Sequence, residues 1–174
     1  MKFSDENTEE KGKSLENGIP QDFLLARKKA LRLLERMDRS RQELSAKLSQ
    51  AGFSEAAVED AVRYVASYGY LDDLRFAKSY LRREQGKNGK KKLVYVLREK
   101  GVAPEVIEQA IAETAEEGEC DERETVKSLI RKRCPEGETL DEAGFRRLIG
   151  YLSRRGFSFE DIYGAVDELG LREV

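Results

Sequence analysis

Basic side chains are concentrated in the middle of this chain, at a density suited to binding phosphate groups. The stretch from Leu74 to Val102 contains ten lysines and arginines against two acidic residues, Glu84 and Glu99. The next stretch, from Glu105 to Glu124, contains nine acidic residues and one basic residue, Arg123. Because attraction to phosphates adds up over cations and needs no reading of bases, the first stretch is a candidate nucleic-acid surface.

The densest part of this stretch is a glycine-rich turn that enters a predicted helix. Its four lysines are Lys87, Lys90, Lys91 and Lys92. Cations at the start of a helix oppose the helix dipole, which favours a binding role for them. The alternative is that such charges only cover solvated helix faces. The remaining candidate binding residues are arginines near this turn and in the last third of the chain: Arg82, Arg83, Arg98, Arg154 and Arg155.

The sequence lacks the patterns of the common catalytic and cofactor sites. It contains no histidine, the commonest general base and metal ligand, and the turn at residues 86–90 lacks the spacing of a phosphate-binding loop. The adjacent Asp72 and Asp73 would point in different directions on a helix, which favours a helix cap over an acid–base pair. The cysteines, Cys120 and Cys134, match no zinc spacing and favour a reduced pair. We expect no enzymatic activity, no metal and no cofactor.

Five aromatic residues are a second candidate for contact with nucleic acid. They are Tyr64, Tyr68, Tyr70, Phe76 and Tyr80. Aromatic rings stack on unpaired bases, but these five lie at helical spacing beside leucines. We therefore expect them to pack within and between helices.

A leucine pattern that recurs three times organises the helices that carry these residues. Each copy has two leucines four residues apart, a glycine four residues after the second leucine, and then an apolar residue. Such a pair marks one face of a helix, and the glycine suits the left-handed residue that ends it. The second leucines, which should be buried in three separate small cores, are Leu48, Leu97 and Leu152.

Another amphipathic segment precedes each leucine pair, and a third helix follows each glycine. Ser54, Ser158, Asp121 and either Asp72 or Asp73 are placed as N-caps, and Pro104 is placed as a first helical residue. No segment alternates convincingly between apolar and polar residues, so strands are not expected. The chain is predicted to begin with a disordered acidic leader, residues 1–22. Three three-helix repeats follow at residues 23–71, 72–113 and 121–174, with an acidic linker at residues 114–120 before the third.

The joins between the repeats differ in character. The join between the first two is short and apolar, whereas residues 113–119 are acidic. We expect repeats one and two to pack firmly and the third to be hinged. Since no apolar run approaches the roughly 20 residues needed to span a bilayer, and no secretory signal is recognisable, we also expect a cytoplasmic protein. We expect the protein to be a monomer.

These residues resemble the RecX family, bacterial modulators of the RecA recombinase in DNA repair and homologous recombination. The resemblance covers residues 26–169, and its motifs are Glu43-Leu44 with Leu48, Gly69-Tyr70-Leu71-Asp72-Asp73 followed by Arg75-Phe76-Ala77, Lys100-Gly101, and Arg154-Arg155-Gly156-Phe157. It implies an all-α fold of three tandem three-helix repeats in an elongated, curved array, without a cofactor. It also implies binding in the groove of the RecA filament on DNA, usually with inhibition.

Two other functions are compatible with the sequence. A direct DNA-binding protein would use helix-turn-helix-like units to read the major groove. However, no set of arginine, asparagine or glutamine recurs in all three units, as a base-reading code would suggest. A helical-repeat scaffold that binds only proteins would show no dependence on DNA.

Overall fold

A computed structural model describes residues 15–16, 18–116, 121–134 and 139–171. Most of the predicted leader, Cys120 and residues 117–120 of the predicted linker lie outside the described residues. In the described part of the leader, the two-residue strands β1 (Leu15–Glu16) and β2 (Ile19–Pro20) pair antiparallel. The end of the leader therefore differs from the predicted disorder.

Helices make up the rest of the regular structure in the described residues, which confirms the all-α prediction. Repeat 1 contains α1 (Gln21–Arg36), α2 (Arg41–Gln50) and α3 (Glu55–Ser67). Repeat 2 contains α4 (Asp73–Glu84), α5 (Lys90–Glu99) and α6 (Pro104–Glu116). Repeat 3 contains α7 (Glu122–Arg131), α8 (Glu142–Arg154) and α9 (Phe159–Glu168).

The predicted helix starts are confirmed by the hydrogen bonds of their caps. Asp72 accepts from the backbone N–H groups of Leu74 and Arg75, so it, and not Asp73, is the cap of α4. The caps of the other predicted starts are Ser54, Asp121 and Ser158. Each side chain satisfies donors that the first turn of a helix leaves unpaired.

Helix α6 ends at Glu116, three residues past the predicted end of repeat 2 at residue 113. Thr114 is buried, and its hydroxyl donates to the carbonyl oxygens of Ala110 and Ile111. Thr114 therefore lies on the buried face of α6, and its polar hydroxyl is satisfied by carbonyl oxygens of the same helix. The helix can continue through this residue to Glu116.

Repeat 1 forms most of the first of two compact units, whose described residues are 15–16, 18–38 and 43–71. The small side chains of Ala26 and Ala30 are fully buried and allow α1 to approach α3 closely. Beside them, Arg27 makes two hydrogen bonds to the Asp60 carboxylate, at 2.7 and 2.9 Å. The guanidinium also lies 4.5 Å from the ring centroid of Tyr64. This partly buried ion pair therefore fixes the register of α1 on α3.

Replacing Asp60 by asparagine should lower the free energy of unfolding by about 1–2 kcal/mol at neutral pH. The hydrogen bonds from Arg27 hold the pKa of Asp60 below its usual value of 3.8. The folded state therefore favours the carboxylate, and the stabilisation is complete above that pH and is lost as the pH falls through the lower folded-state pKa. Urea unfolding at pH 7 and below pH 3.8 measures the difference. The control, Glu59→Gln, removes an exposed ion pair with Arg63 and should change the free energy of unfolding little. A loss as large as that of Asp60→Asn would contradict the stabilising role of the Arg27–Asp60 pair.

Repeats 2 and 3 lie in the second compact unit, residues 39–42 and 72–174, although each keeps its own apolar core. Helix α4 packs on α6 in repeat 2, and α7 packs on α9 in repeat 3. The predicted hinge between these repeats is wrong, because a backbone hydrogen bond and two side-chain hydrogen bonds join them directly, as described below.

Leu48, Leu97 and Leu152 are each fully buried, which confirms the repeat alignment. Replacing any one of them by alanine should lower the free energy of unfolding by about 2–5 kcal/mol, because each change leaves a cavity in a small core. Leu25, which is half exposed on α1, provides the control, and Leu25→Ala should cost much less. Urea denaturation measures all four variants; a small loss at one of the three positions would show that the core around that leucine collapses to fill the space.

Candidate nucleic-acid interface

The basic residues of repeat 2 lie on both sides of the turn between α4 and α5. Arg82 and Arg83 belong to the last turn of α4, Lys87 lies in the connecting turn, and the first turn of α5 begins with Lys90, Lys91 and Lys92. All six are exposed. The turn itself is ordered by N–H groups of Lys87 and Asn88, which both donate to the carbonyl oxygen of Glu84 at 3.0 Å. The chain thus brings these predicted site residues close together.

The cations around this turn differ in whether they are paired. Arg83 contacts the Glu84 carboxylate at 3.0 Å, and the Lys87 ammonium lies 4.0 Å from the same carboxylate. Lys90, Lys91 and Lys92 form no ion pair with any described residue. We call these three residues the lysine cluster. Its charges are therefore available to an external anion.

The start of α5 is capped by a residue of repeat 3, which offsets the unfavourable position of the lysine cluster on the helix dipole. The N-cap residue of α5, Gly89, offers no side chain, and the backbone N–H of Lys90 donates to Glu122 Oε1. Burial raises the pKa of the Glu122 carboxyl, and the hydrogen bond from Lys90 opposes this shift. In the sequence Glu122 is one of nine acids in an acidic stretch, so no local signal distinguished it.

The backbones of repeats 2 and 3 meet at two glycines beside the lysine cluster. Gly89 N–H donates to the carbonyl oxygen of Arg155 at 2.8 Å. A Cβ atom on Gly89 would lie 2.5 Å from backbone atoms of Gly156. A Cβ atom on Gly156 would lie 2.4 Å from the backbone nitrogen of Lys92. This junction holds the first turn of α5 rigidly against the end of α8.

The two predicted arginines of repeat 3 have different surroundings. Arg155 follows α8, and its guanidinium donates to the carbonyl oxygen of Lys87 at 2.7 Å and lies 4.7 Å from the ring centroid of Tyr151. Arg155 therefore stabilises the junction, and fewer of its donors remain for a ligand. Arg154, the last residue of α8, is exposed.

Arg98 lies on the last turn of α5, two helical turns from the lysine cluster. It is exposed and lines a groove with Lys90 and Val94 of α5 and Glu108 of α6. The structure thus places Arg98 on the same helix as the cluster but at its other end. Glu108 makes this groove less basic than the first turn.

Two of the five predicted aromatic residues are exposed, contrary to the prediction that they pack within and between helices. Tyr64 and Tyr80 are partly buried against the cores of their repeats, as predicted. Phe76 is buried as predicted, but the side chains of Tyr68 and Tyr70 are more than half exposed, with ring centroids 6.3 Å apart. Tyr95 on α5 is also exposed, by 62%, and was not among the predicted site residues. Its signal was present in the sequence, because Leu93 and Leu97 define the buried face and place Tyr95 opposite to it.

The described residues contain no cluster of side chains that could hold a metal ion. No helix within the described ranges has the length and apolarity needed to cross a membrane.

These features define a protein of tandem three-helix repeats with an ordered basic surface at the junction of the second and third. Models of the first, second and third three-helix domains of RecX match residues 26–64, 72–111 and 121–166. The chain belongs to the RecX family, as the resemblance in its sequence implied.

Relatives and solved structures agree with this assignment. The chain is 36% identical over 141 residues to Regulatory protein RecX of Vibrio vulnificus (strain CMCP6), covering 80% of this chain and 90% of that protein. It is 35% identical over 142 residues to Regulatory protein RecX of Trichlorobacter lovleyi, covering 79% and 89%. The fold is similar to the crystal structure of RecX from Lactobacillus salivarius, with a TM-score of 0.72 at 22% identity over 86% of this chain and 97% of that chain.

Proposed function

We propose that this chain is a non-enzymatic regulator that inhibits the RecA recombinase by binding in the groove of the RecA–DNA filament. The similar proteins of Vibrio vulnificus and Trichlorobacter lovleyi are regulatory proteins by name. In this proposal the chain acts in the cytoplasm as a monomer, and its effect is exerted during DNA repair and homologous recombination.

The observation that carries the proposal is the lysine cluster. Three exposed cations without an ion partner among the described residues stand on one helical turn. That turn is fixed by Glu122 and by the close approach of Gly89 and Gly156. Because the backbone of this turn is already ordered, only the lysine side chains lose conformational freedom when they meet a row of phosphates, and the attraction needs no particular base sequence. A filament that presents DNA along its whole length offers such a row.

The direct DNA reader remains the second candidate, because the first turn of α5 exposes three lysines that could meet the phosphates of a duplex. In the filament proposal the protein surface of RecA supplies part of the affinity, whereas a direct reader binds duplex of a particular sequence without RecA. The two functions therefore predict different requirements for binding.

A pull-down of the full chain with RecA, single-stranded DNA and ATP, with each component omitted in turn, separates these functions. We expect the chain to be recovered most strongly when all three components are present, and the RecA ATPase rate to fall on its addition. Binding to naked duplex of one sequence, at equal strength without RecA, would favour the direct reader. Equal binding to RecA without DNA would favour a scaffold that binds only proteins.

A further inference from the structure

The outward face of α5 carries an aromatic ring between cations. Leu93 and Leu97 are buried, so the opposite side of the helix presents Lys91, Tyr95 and Arg98, all of them exposed. The positions differ by four and three residues, and such positions are neighbours on a helix surface. With a rise of 1.5 Å per residue, the three Cα atoms span roughly 10 Å along the axis.

No contact among the described residues explains an exposed tyrosine at this place. Tyr95 is 62% exposed and takes part in no ring contact with a described residue, whereas Tyr64, Tyr68, Tyr70, Tyr151 and Tyr163 each contact another ring or a cation. The acids beside this face are Glu99, next to Arg98, and Glu108 of the adjoining groove, and with the lysine cluster included the surroundings keep a positive balance. An exposed ring flanked by cations is the arrangement with which proteins hold single-stranded nucleic acid.

We propose that this face of α5 binds a single nucleic-acid strand directly, with the ring of Tyr95 stacked on an unpaired base. Lys91 and Arg98 contact the phosphates on either side of that base. In a duplex the base faces are already stacked and the grooves expose base edges, so the ring favours a single strand. The site shares Lys91 with the lysine cluster, but the binding does not require RecA, so it can be tested separately from the proposed function.

The chain contains no tryptophan, so Tyr95→Trp introduces a single fluorescent reporter at the site. Oligothymidylate alone should quench its emission in a saturable way, because the indole stacks on the base. The same change at Tyr68, which is equally exposed in repeat 1, provides the matched control and should respond much less. Absent quenching at position 95, or equal quenching at both positions, would overturn the proposal.

Affinity measurements on substituted proteins identify the interaction as stacking. Tyr95→Ala should weaken binding of oligothymidylate roughly 5- to 150-fold, the equivalent of one stacked base. Tyr95→Phe keeps the ring and should stay within about twofold of the unaltered protein. Both variants should unfold at the same urea concentration as the unaltered chain, because the side chain is exposed. A loss as large for Tyr95→Phe as for Tyr95→Ala would overturn stacking.

Two competitors define the ligand. A duplex of the same length should compete at least severalfold less well than the single strand, and polyglutamate of equal charge should compete poorly. Equal competition by the duplex would overturn the preference for a single strand and favour the direct duplex reader. Equal competition by polyglutamate would show an unspecific anion surface and overturn the proposal. If the chain is recovered with the RecA filament but oligothymidylate does not quench the fluorescence, the proposed function stands and direct single-strand binding by α5 is overturned.

Discussion

Replacing Gly156 by alanine is expected to destabilise the protein by about 2–5 kcal/mol, more than the same change at the equivalent Gly52. Both glycines end the second helix of their repeat with positive φ, 86° and 88°. An alanine there costs about 1–2 kcal/mol from left-handed backbone strain alone. At Gly156 the new methyl group also collides with the backbone of Lys92, whereas at Gly52 nothing lies within 4 Å. Forcing the two repeats apart adds about 1–3 kcal/mol.

Urea unfolding measures the two losses, and hydrogen exchange locates the damage. In the Gly156→Ala protein, the amides of Gly89 and Lys90 should exchange faster, because they donate across this junction to Arg155 and Glu122. In the Gly52→Ala protein those amides should keep their protection. Equal stability losses, with no change in exchange at Gly89 and Lys90, would mean that the two repeats are not in close contact in solution.

Neutralising the lysine cluster by Lys90→Gln, Lys91→Gln and Lys92→Gln is expected to have the largest effect on binding to a RecA–DNA filament. If each lysine contacts one phosphate, the slope of log affinity against log salt should become less steep by about 2–3. Glutamine is preferable to glutamate, since new carboxylates at Lys90 and Lys91 would lie near Glu122. The fold should be unaffected, because the three side chains are exposed and glutamine retains good helix propensity.

The matched control removes the same number of charges from another exposed helix face. Lys28, Lys29 and Arg32 on α1 are exposed, and their replacement by glutamine should change the salt slope much less. Filament binding with an unchanged slope in the α5 variant would show that the lysine cluster is only a solvated face. The next position to test would then be Arg154, because Arg155 is engaged with Lys87.

The parts of the fold that depend on neighbours in sequence were predictable. The leucine pairs, the helix-ending glycines and the caps Ser54, Asp72, Asp121 and Ser158 are all set by interactions within about four residues. Burial of Leu48, Leu97 and Leu152 follows from the same local periodicity. Three repeats of one pattern also made each assignment support the others.

The parts that depend on distant residues were not predictable. Glu122 reaches the start of α5 from 32 residues away, and Arg155 reaches Lys87 from 68 residues away. Neither contact produces a periodic pattern in the sequence. The acidic join between repeats 2 and 3 therefore suggested a hinge, whereas the structure has a close junction there. Tyr95 is a different case. Its outward position follows from Leu93 and Leu97, although it was not among the five aromatic residues considered as candidates.

The carboxylate of Glu122 has a consequence for how far the three repeats can be exchanged among relatives. The first turn of α5 lacks a cap of its own, so repeat 2 obtains this hydrogen bond from repeat 3. A chimera that joins repeat 2 of this chain to a foreign third repeat would keep every lysine and yet fray at the helix end that displays them. Such an exchange retains an ordered α5 only if the incoming repeat brings both a carboxylate at the position of Glu122 and a glycine at the position of Gly156.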